Sequence, residues 1–318
     1  MNALVTGADG FLGANLCKTL VEQGHAVVGS ALNRKGHTSL DALGADIRIE
    51  YGNVLDAAFV ARLVNAYEAE WLFHLAGVSI VRIAEKNPQR CIQTNALGTL
   101  NVLEACRQAG HVKAALVASS DKAYGDYGGA AYREGMGLKP AGAYEVSKAC
   151  ADLIAQCYGT QYGLRAIVTR CANLYGPGDL HWSRLVPNSC RLALQGQGPQ
   201  ITPGAWKYQR HWLYVDDAVQ AYITLAEQGE AGQAYNVAPG PACVATAGGV
   251  GMMIARMADA PEPVEGSVVI GHEIPAQELD AGKIEALGWQ AQTQLVDGLQ
   301  TTLDWYRGYL RGGLTCAF

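Results

Sequence analysis

Short apolar runs of strand length alternate with stretches of helical period through the first half of the chain. The run ALVT at 3–6 leads through glycines into an apolar helical stretch, and HAVVGS (25–30), IRIEYGNV (47–54), WLFHLAG (71–77), AALV (114–117) and RAIVTR (165–170) repeat the strand pattern. Between them the spacing predicts helices over about 56–67, 88–109 and 143–162. Strands and helices that take turns in this way predict an α/β fold, a Rossmann-like doubly wound parallel sheet with right-handed crossovers. After Gly178 the rhythm changes. A helix over 183–194, a Gly/Pro-rich stretch, the strand-like RHWLYV (210–215) and a helix over 216–227 predict a smaller C-terminal lobe.

Composition narrows the picture. A chain of 318 residues, 49% hydrophobic and 17% charged with 38 glycines, can bury a sizeable core and is not a disordered or coiled-coil sequence. The net charge of -5, with no basic stripe, argues against a nucleic-acid partner. No apolar run approaches the ~18 residues of a membrane span, and a strand that starts beside Met1 leaves no room for a signal peptide. The nine cysteines (17, 91, 106, 150, 157, 171, 190, 243 and 316) are scattered without a CxxC pair, which predicts reduced packing residues in a cytoplasmic protein. His272 and Glu273 are adjacent but have no second pair beside them, so no metal site is expected.

The first candidate chemistry is the loop after the first strand. Gly7, Gly10 and Gly13 are spaced GxxGxxG between a strand and a helix, which suits a tight turn, backbone approach to a pyrophosphate and close helix packing. The expected division is therefore a dinucleotide-binding domain at 1–178 and a mainly substrate-binding lobe at 179–318, some of whose segments return to the first. Phe11 and Leu12 are candidate cofactor contacts with these glycines. The second strand ends near Ser30 without the acidic residue that ordinarily holds the adenosine ribose, and the next charge is Arg34. Arg34 either accepts a ribose phosphate or is solvated, so NAD and NADP both stay open. Asn53 and Val54 are placed at the adenine edge, and Leu75, Ala76 and Gly77 let a cofactor lie over the fourth strand end. His74 reads as a packed histidine. Asn95, polar on an apolar helix face, is either a cofactor-side residue that holds water or backbone near the active site or a satisfied core asparagine.

The second is SSDKAYG at 119–125, where a buried strand meets solvent, followed by YEVSK ending at Lys148. Tyr144 and Lys148 are four apart on a predicted helix, so both side chains share one face. An ammonium beside a phenol favours the phenolate and makes a proton shuttle. The loop between, rich in glycine and tyrosine, suits a cover over a pocket. Arg184 and Arg210 are the basic residues expected to face that pocket, where a diphosphate needs such partners; Asn173 and Leu185 are further substrate-side candidates.

GxxGFxG at 7–13, Tyr144-x-x-x-Lys148, the preceding serine and YVDDA at 214–218 together resemble the extended short-chain dehydrogenase/reductases that modify nucleotide sugars, over essentially the whole chain. SSDKAYG with FHLAGVSIVR (73–82), NALGTLNVLEACR (95–107) and RLVPN (184–188) is most similar to the CDP-glucose 4,6-dehydratases, whereas RHW at 210–212 and NLYGPGD at 173–179 depart from their pattern. The resemblance implies a nucleotide-sugar substrate and tilts the cofactor toward NAD. Tyr144, as phenolate, would take the proton of the 4-hydroxyl, Lys148 would hold the ribose, and Ser120 would bond the same oxygen. Asp121 would be the acid and Lys122 the base of a water elimination. It also implies a homodimer through a four-helix interface built from 88–109 and 143–162. A 4-epimerase, in which Asp121 and Lys122 only position substrate, and a non-catalytic NAD(P)-binding regulator are the competing expectations.

Overall fold

A computed structural model describes residues 1–34, 36–267 and 274–312; His272 and Glu273 lie outside the described residues. The chain begins β1 (Asn2–Thr6), α1 (Phe11–Glu22), β2 (Ala26–Ala31), α2 (Ser39–Leu43), β3 (Arg48–Tyr51), α3 (Ala57–Ala66) and β4 (Trp71–His74). It continues through α4 (Val81–Lys86), α5 (Pro88–Ile92), α6 (Gly98–Ala109), β5 (Ala114–Ala118), α7 (Ala143–Gln161), β6 (Ala166–Cys171) and β7 (Asn173–Tyr175). The remainder runs α8 (Leu185–Leu194), β8 (Gln200–Ile201), β9 (Gln209–Tyr214), α9 (Val215–Gln228), β10 (Ala234–Val237), β11 (Val244–Thr246) and α10 (Ala247–Met257). It ends with β12 (Val264–Glu265), β13 (Ala276–Gln277), α11 (Gly282–Glu285) and α12 (Leu295–Arg311).

Seven strands form one sheet in the order β10-β6-β5-β4-β1-β2-β3, and every pairing in it is parallel. Alternate side chains feed opposite faces. Val5, Phe73 and Leu116 pack with Leu16 and Leu20 of α1 and Tyr222 of α9. Leu4, Leu72 and Val117 pack with Leu63 of α3, Val102 of α6 and Ala155 of α7. Burial on both faces is why these strands read as continuous apolar runs, each large side chain contributing roughly 1.5–3 kcal/mol. A second small sheet centres on β9, which pairs with β11, β13 and β7. Trp212 and Tyr214 from it pack with Val186 of α8, Ile254 of α10 and Leu299 of α12. Between these pieces α9 and β10 return to the main sheet, β10 pairing with β6.

Several boundaries differ from expectation for local reasons. β3 stops at Tyr51, and the Gly52 amide that follows it bonds Ala31 O. β4 ends at His74 rather than 77, with Leu75 N donating to Thr6 O. The helix expected over 88–109 contains a π-turn at Gln93–Leu97 between α5 and α6. The one expected over 183–194 starts at Leu185, with Arg184 in extended conformation at its cap.

Candidate active site

β1 sits between β2 and β4, and the connections leaving β1 and β4 diverge, so a crevice opens at their carboxyl ends. A cleft of about 1470 Å³ occupies it. Gly7 has φ +71°, and a Cβ there would lie 2.8 Å from Ala76 Cα. A Cβ on Gly13 would lie 2.3 Å from Gly7 O, so α1 can reach the turn only without one. Gly10 begins α1 with no side-chain cap and no acidic residue in its first turn. Gly7, Gly10, Phe11, Leu12 and Gly13 all line the cleft, and the uncapped helix amides suit an anion.

At the adenosine end, Asn53 and Val54 line the cleft as expected, joined by Ser30, His37 and Thr38. Arg34 does not line it and is exposed. Leu75, Ala76 and Gly77 line the centre. His74 is buried between Thr6 Oγ1 (2.8 Å) and Thr99 Oγ1 (3.1 Å), and burial pushes it down to about 3, so it is a neutral packed residue. Asn95 does not line the cleft. The π-turn aims its carboxamide at Val78, accepting that amide at 2.7 Å and donating to its carbonyl at 3.0 Å, and it also donates to Ser147 Oγ at 2.8 Å. Asn95 therefore fixes the backbone beside Gly77 from behind, one of the roles expected of it.

The reactive end is built from two elements. Ser120 caps a single 3-10 turn, Asp121–Tyr124, directly after β5. Its hydroxyl accepts Lys122 N at 3.2 Å and donates to Asp121 Oδ1 at 2.9 Å. Burial raises the Asp121 pKa above the ordinary carboxylate value, against the pull of Lys122, Ser120 and Arg210, which favours the protonated carboxyl. Tyr144 and Lys148 lie one turn apart at the start of α7. Lys148 Nζ donates to Ala118 O at 2.6 Å, and Tyr144 hydrogen-bonds Ser120. Ser120, Asp121, Lys122, Tyr144 and Lys148 all line the cleft.

The sequence-based expectation that Lys148 lowers the phenol is corrected by burial. Desolvation pushes Tyr144 up to about 12, the Ser120 bond opposing it, and pushes Lys148 down to about 8. Burial thus raises the phenol and lowers the amine, and any positive charge beside Tyr144 favours the phenolate.

Facing this end, Asn173, Arg184, Leu185 and Arg210 line the cleft. Arg184 bonds Asp179 Oδ2 at 3.0 Å and Ser79 Oγ at 3.3 Å, joining α8 to the segment after β4. Arg210 is buried, with its guanidinium on the carbonyls of Gln209 (2.7 Å) and Ile274 (2.6 Å). His181, Arg191 and Tyr208 line the cleft too and carried no sequence signal beyond their neighbourhood. Among the described residues no group of three His, Cys, Asp or Glu can hold a metal ion, and no helix is long and apolar enough to cross a membrane.

Residues 3–238 match the NAD dependent epimerase/dehydratase family. The chain belongs to that family. A family relative, the dTDP-glucose 4,6-dehydratase of Mycobacterium tuberculosis, is 31% identical over 323 residues, covering 96% of this chain and 93% of its own. Among solved structures, the DesIV dTDP-glucose 4,6-dehydratase of Streptomyces venezuelae, with NAD and TYD bound, superposes with TM-score 0.89 at 27% identity over 98% of both chains. The UDP-glucose 4-epimerase of Thermotoga maritima, with UDP-glucose, has the same TM-score at 27% identity, over 98% of this chain and 100% of its own. The fold class and the expected extended dehydrogenase/reductase family are thus both met.

Proposed function

We propose that the protein is an NAD-dependent nucleotide-sugar 4,6-dehydratase, converting a nucleoside-diphosphate hexose to its 4-keto-6-deoxy form. The observation that carries this is the placement of Asp121 and Lys122, on one turn beside Ser120, in the same cleft as Tyr144 and Lys148. An epimerase has no use for a buried carboxylic acid and an amine there. The intact Ser120, Tyr144 and Lys148 set argues against a non-catalytic regulator.

The cleft fits the cofactor. Gly7 and Gly13 leave no room for a Cβ, and the uncapped start of α1 faces the place of a pyrophosphate. When bound, NAD supplies a hydride acceptor that later gives the hydride back, together with a positive ring charge. Tyr144 takes the proton of the sugar 4-hydroxyl, and Ser120 bonds the same oxygen. The 4-ketone acidifies the proton on carbon 5, which Lys122 removes. The carbon–hydrogen pair becomes the bond between carbons 5 and 6, and the carbon 6 hydroxyl leaves with the Asp121 proton as water; Lys122 would give its proton back to carbon 5 as the hydride returns to carbon 6. Arg184 and Arg210 serve the diphosphate end.

The test is incubation of the purified protein with CDP-, dTDP-, GDP- and UDP-hexoses without added reductant, read by mass. Loss of water supports the dehydratase; unchanged mass with altered stereochemistry supports the 4-epimerase instead. We also propose a homodimer. Ile92, Leu97, Leu100 and Leu153 are exposed on α5, the π-turn, α6 and α7, where a second copy would cover them. A monomeric mass at micromolar concentration would contradict it. A reducing, cytoplasmic setting suits the eight described cysteines, which are all free.

A further inference from the structure

Gln277 takes no part in the chemistry described so far, yet it is 1% exposed and its carboxamide oxygen accepts Lys122 Nζ at 3.3 Å. Its Nε2 finds no acceptor among the described residues. Burying that amide therefore costs desolvation that no described residue offsets at Nε2, a cost an apolar side chain of equal length would not carry. The position is fixed by backbone bonds on both sides. β13 pairs with β9 and sets Gln277 opposite Arg210. Tyr132 N donates to Glu278 O and Asp280 N donates to Tyr132 O, each at 2.8 Å, while Leu279 N donates to His211 Nδ1 at 3.2 Å. The side chain is thus held between β9 and the 126–142 loop. Gln277 does not line the cleft, whereas Lys122 does, so the carboxamide reaches the reaction only through the lysine.

Resting on the dehydratase reading, we propose that Gln277 is the positioning residue for Lys122, turning its amine so that the lone pair meets the proton on carbon 5. Lys122 places one N–H on Gln277 Oε1, which fixes the direction of the remaining positions on Nζ. As Nζ takes the carbon 5 proton, the carbon–hydrogen pair forms the new π bond and the carbon 6 oxygen leaves as water with the Asp121 proton. The bond to Oε1 then becomes charge-assisted and strengthens as the proton arrives. That strengthening favours the transition state over the bound ground state. It also accounts for an oxygen acceptor where an apolar residue would pack at lower cost.

The test uses the full chain loaded with NAD and a probe set of dTDP-, UDP- and CDP-glucose and GDP-mannose, with Gln277→Met, Gln277→Leu and Gln277→Glu. Two signals are followed together: near-ultraviolet absorbance of reduced nicotinamide, which reports oxidation, and mass, which reports loss of water. In Gln277→Met, oxidation is expected at the wild-type rate and KM within about twofold, while water loss slows about tenfold or more, so reduced nicotinamide accumulates. Gln277→Glu, whose carboxylate favours the ammonium form of Lys122, is expected to slow water loss as well; Gln277→Leu checks that the result does not depend on one replacement. Full-rate water loss in the apolar variants, or equal slowing of both signals, would overturn the proposal. If the wild-type protein removes water from none of the probes, the dehydratase reading fails and this inference with it. Water loss in wild type and undiminished water loss in Gln277→Met would sink this inference alone.

Discussion

The Ser120 hydroxyl donates to Asp121 Oδ1 at 2.9 Å, and that carboxyl is buried and pushed above its ordinary value. A carboxyl raised in the folded state adds stability below its unfolded value and loses it as pH climbs through the folded one. Asp121→Asn stays neutral throughout, so its melting temperature is expected to match wild type at about pH 3 and to exceed it at about pH 8. The same variant keeps a hydrogen-bonding group but no acid, and water loss is expected to fall about 100-fold or more with NAD affinity unchanged. Calorimetry at the two pH values and a mass assay check both halves. Equal melting at high pH would mean that the carboxyl titrates normally.

Lys148 is displaced the other way, from 10.5 down to about 8 by burial. The empty protein carries the cost of that buried charge in full below about pH 8 and sheds it as pH rises toward 10.5. Lys148→Met is therefore expected to stabilise the ligand-free protein at pH 7 by up to about 3 kcal/mol, with the advantage gone near the top of that range. It is also expected to weaken NAD binding. Urea unfolding across the window, with titration calorimetry for NAD, measures both, and a variant less stable than wild type at neutral pH would refute the sign.

Asp152 and Arg170 form a two-pronged pair at 2.8 and 2.9 Å with side chains 0% and 3% exposed. Arg170 Nη1 also donates to Tyr124 OH at 2.8 Å, which ties α7 to the turn that holds Asp121 and Lys122. Asp152→Ala leaves a buried guanidinium without its carboxylate and is expected to cost about 3–5 kcal/mol in urea unfolding. Replacing both partners by apolar residues is expected to cost less than the sum of the single changes.

Gly13→Ala would set a Cβ 2.3 Å from Gly7 O and 2.9 Å from Ala8 Cα, against 3.3 Å from Gly7 O for Gly10→Ala. The first cannot be accommodated without moving α1 off the turn. It is expected to lose about 1–3 kcal/mol of stability and all measurable NAD binding by calorimetry, whereas Gly10→Ala keeps its stability.

The glycine loop, the strand ends and the Tyr144–Lys148 face were legible in the sequence because each is decided within about ten residues of chain. What escaped depends on distant packing. The four-residue spacing puts Tyr144 beside Lys148, but their proton affinities follow from how deeply α7 is buried against β5, and the nearest partner of Lys148 is a carbonyl 30 residues back. Arg34 has the right charge, but the chain after β2 leaves it exposed and off the lining of the cleft. Asn95 was legible as a residue that holds backbone near the site, but one extra residue in a helical turn decides that it grips Val78. Gln277 meets Lys122 across 155 residues, in a stretch with no periodic signal at all.

The first helix starts on a bare glycine, Gly10, which has no side chain to cap it. An anion bound there completes the protein's own framework, and at a hundredfold excess over Kd a ligand adds about 3 kcal/mol to the folded form. Chains that lack dinucleotide are then the ones most often open to proteases. Bound dinucleotide is therefore expected to slow proteolysis of the folded chain as well as to serve its chemistry.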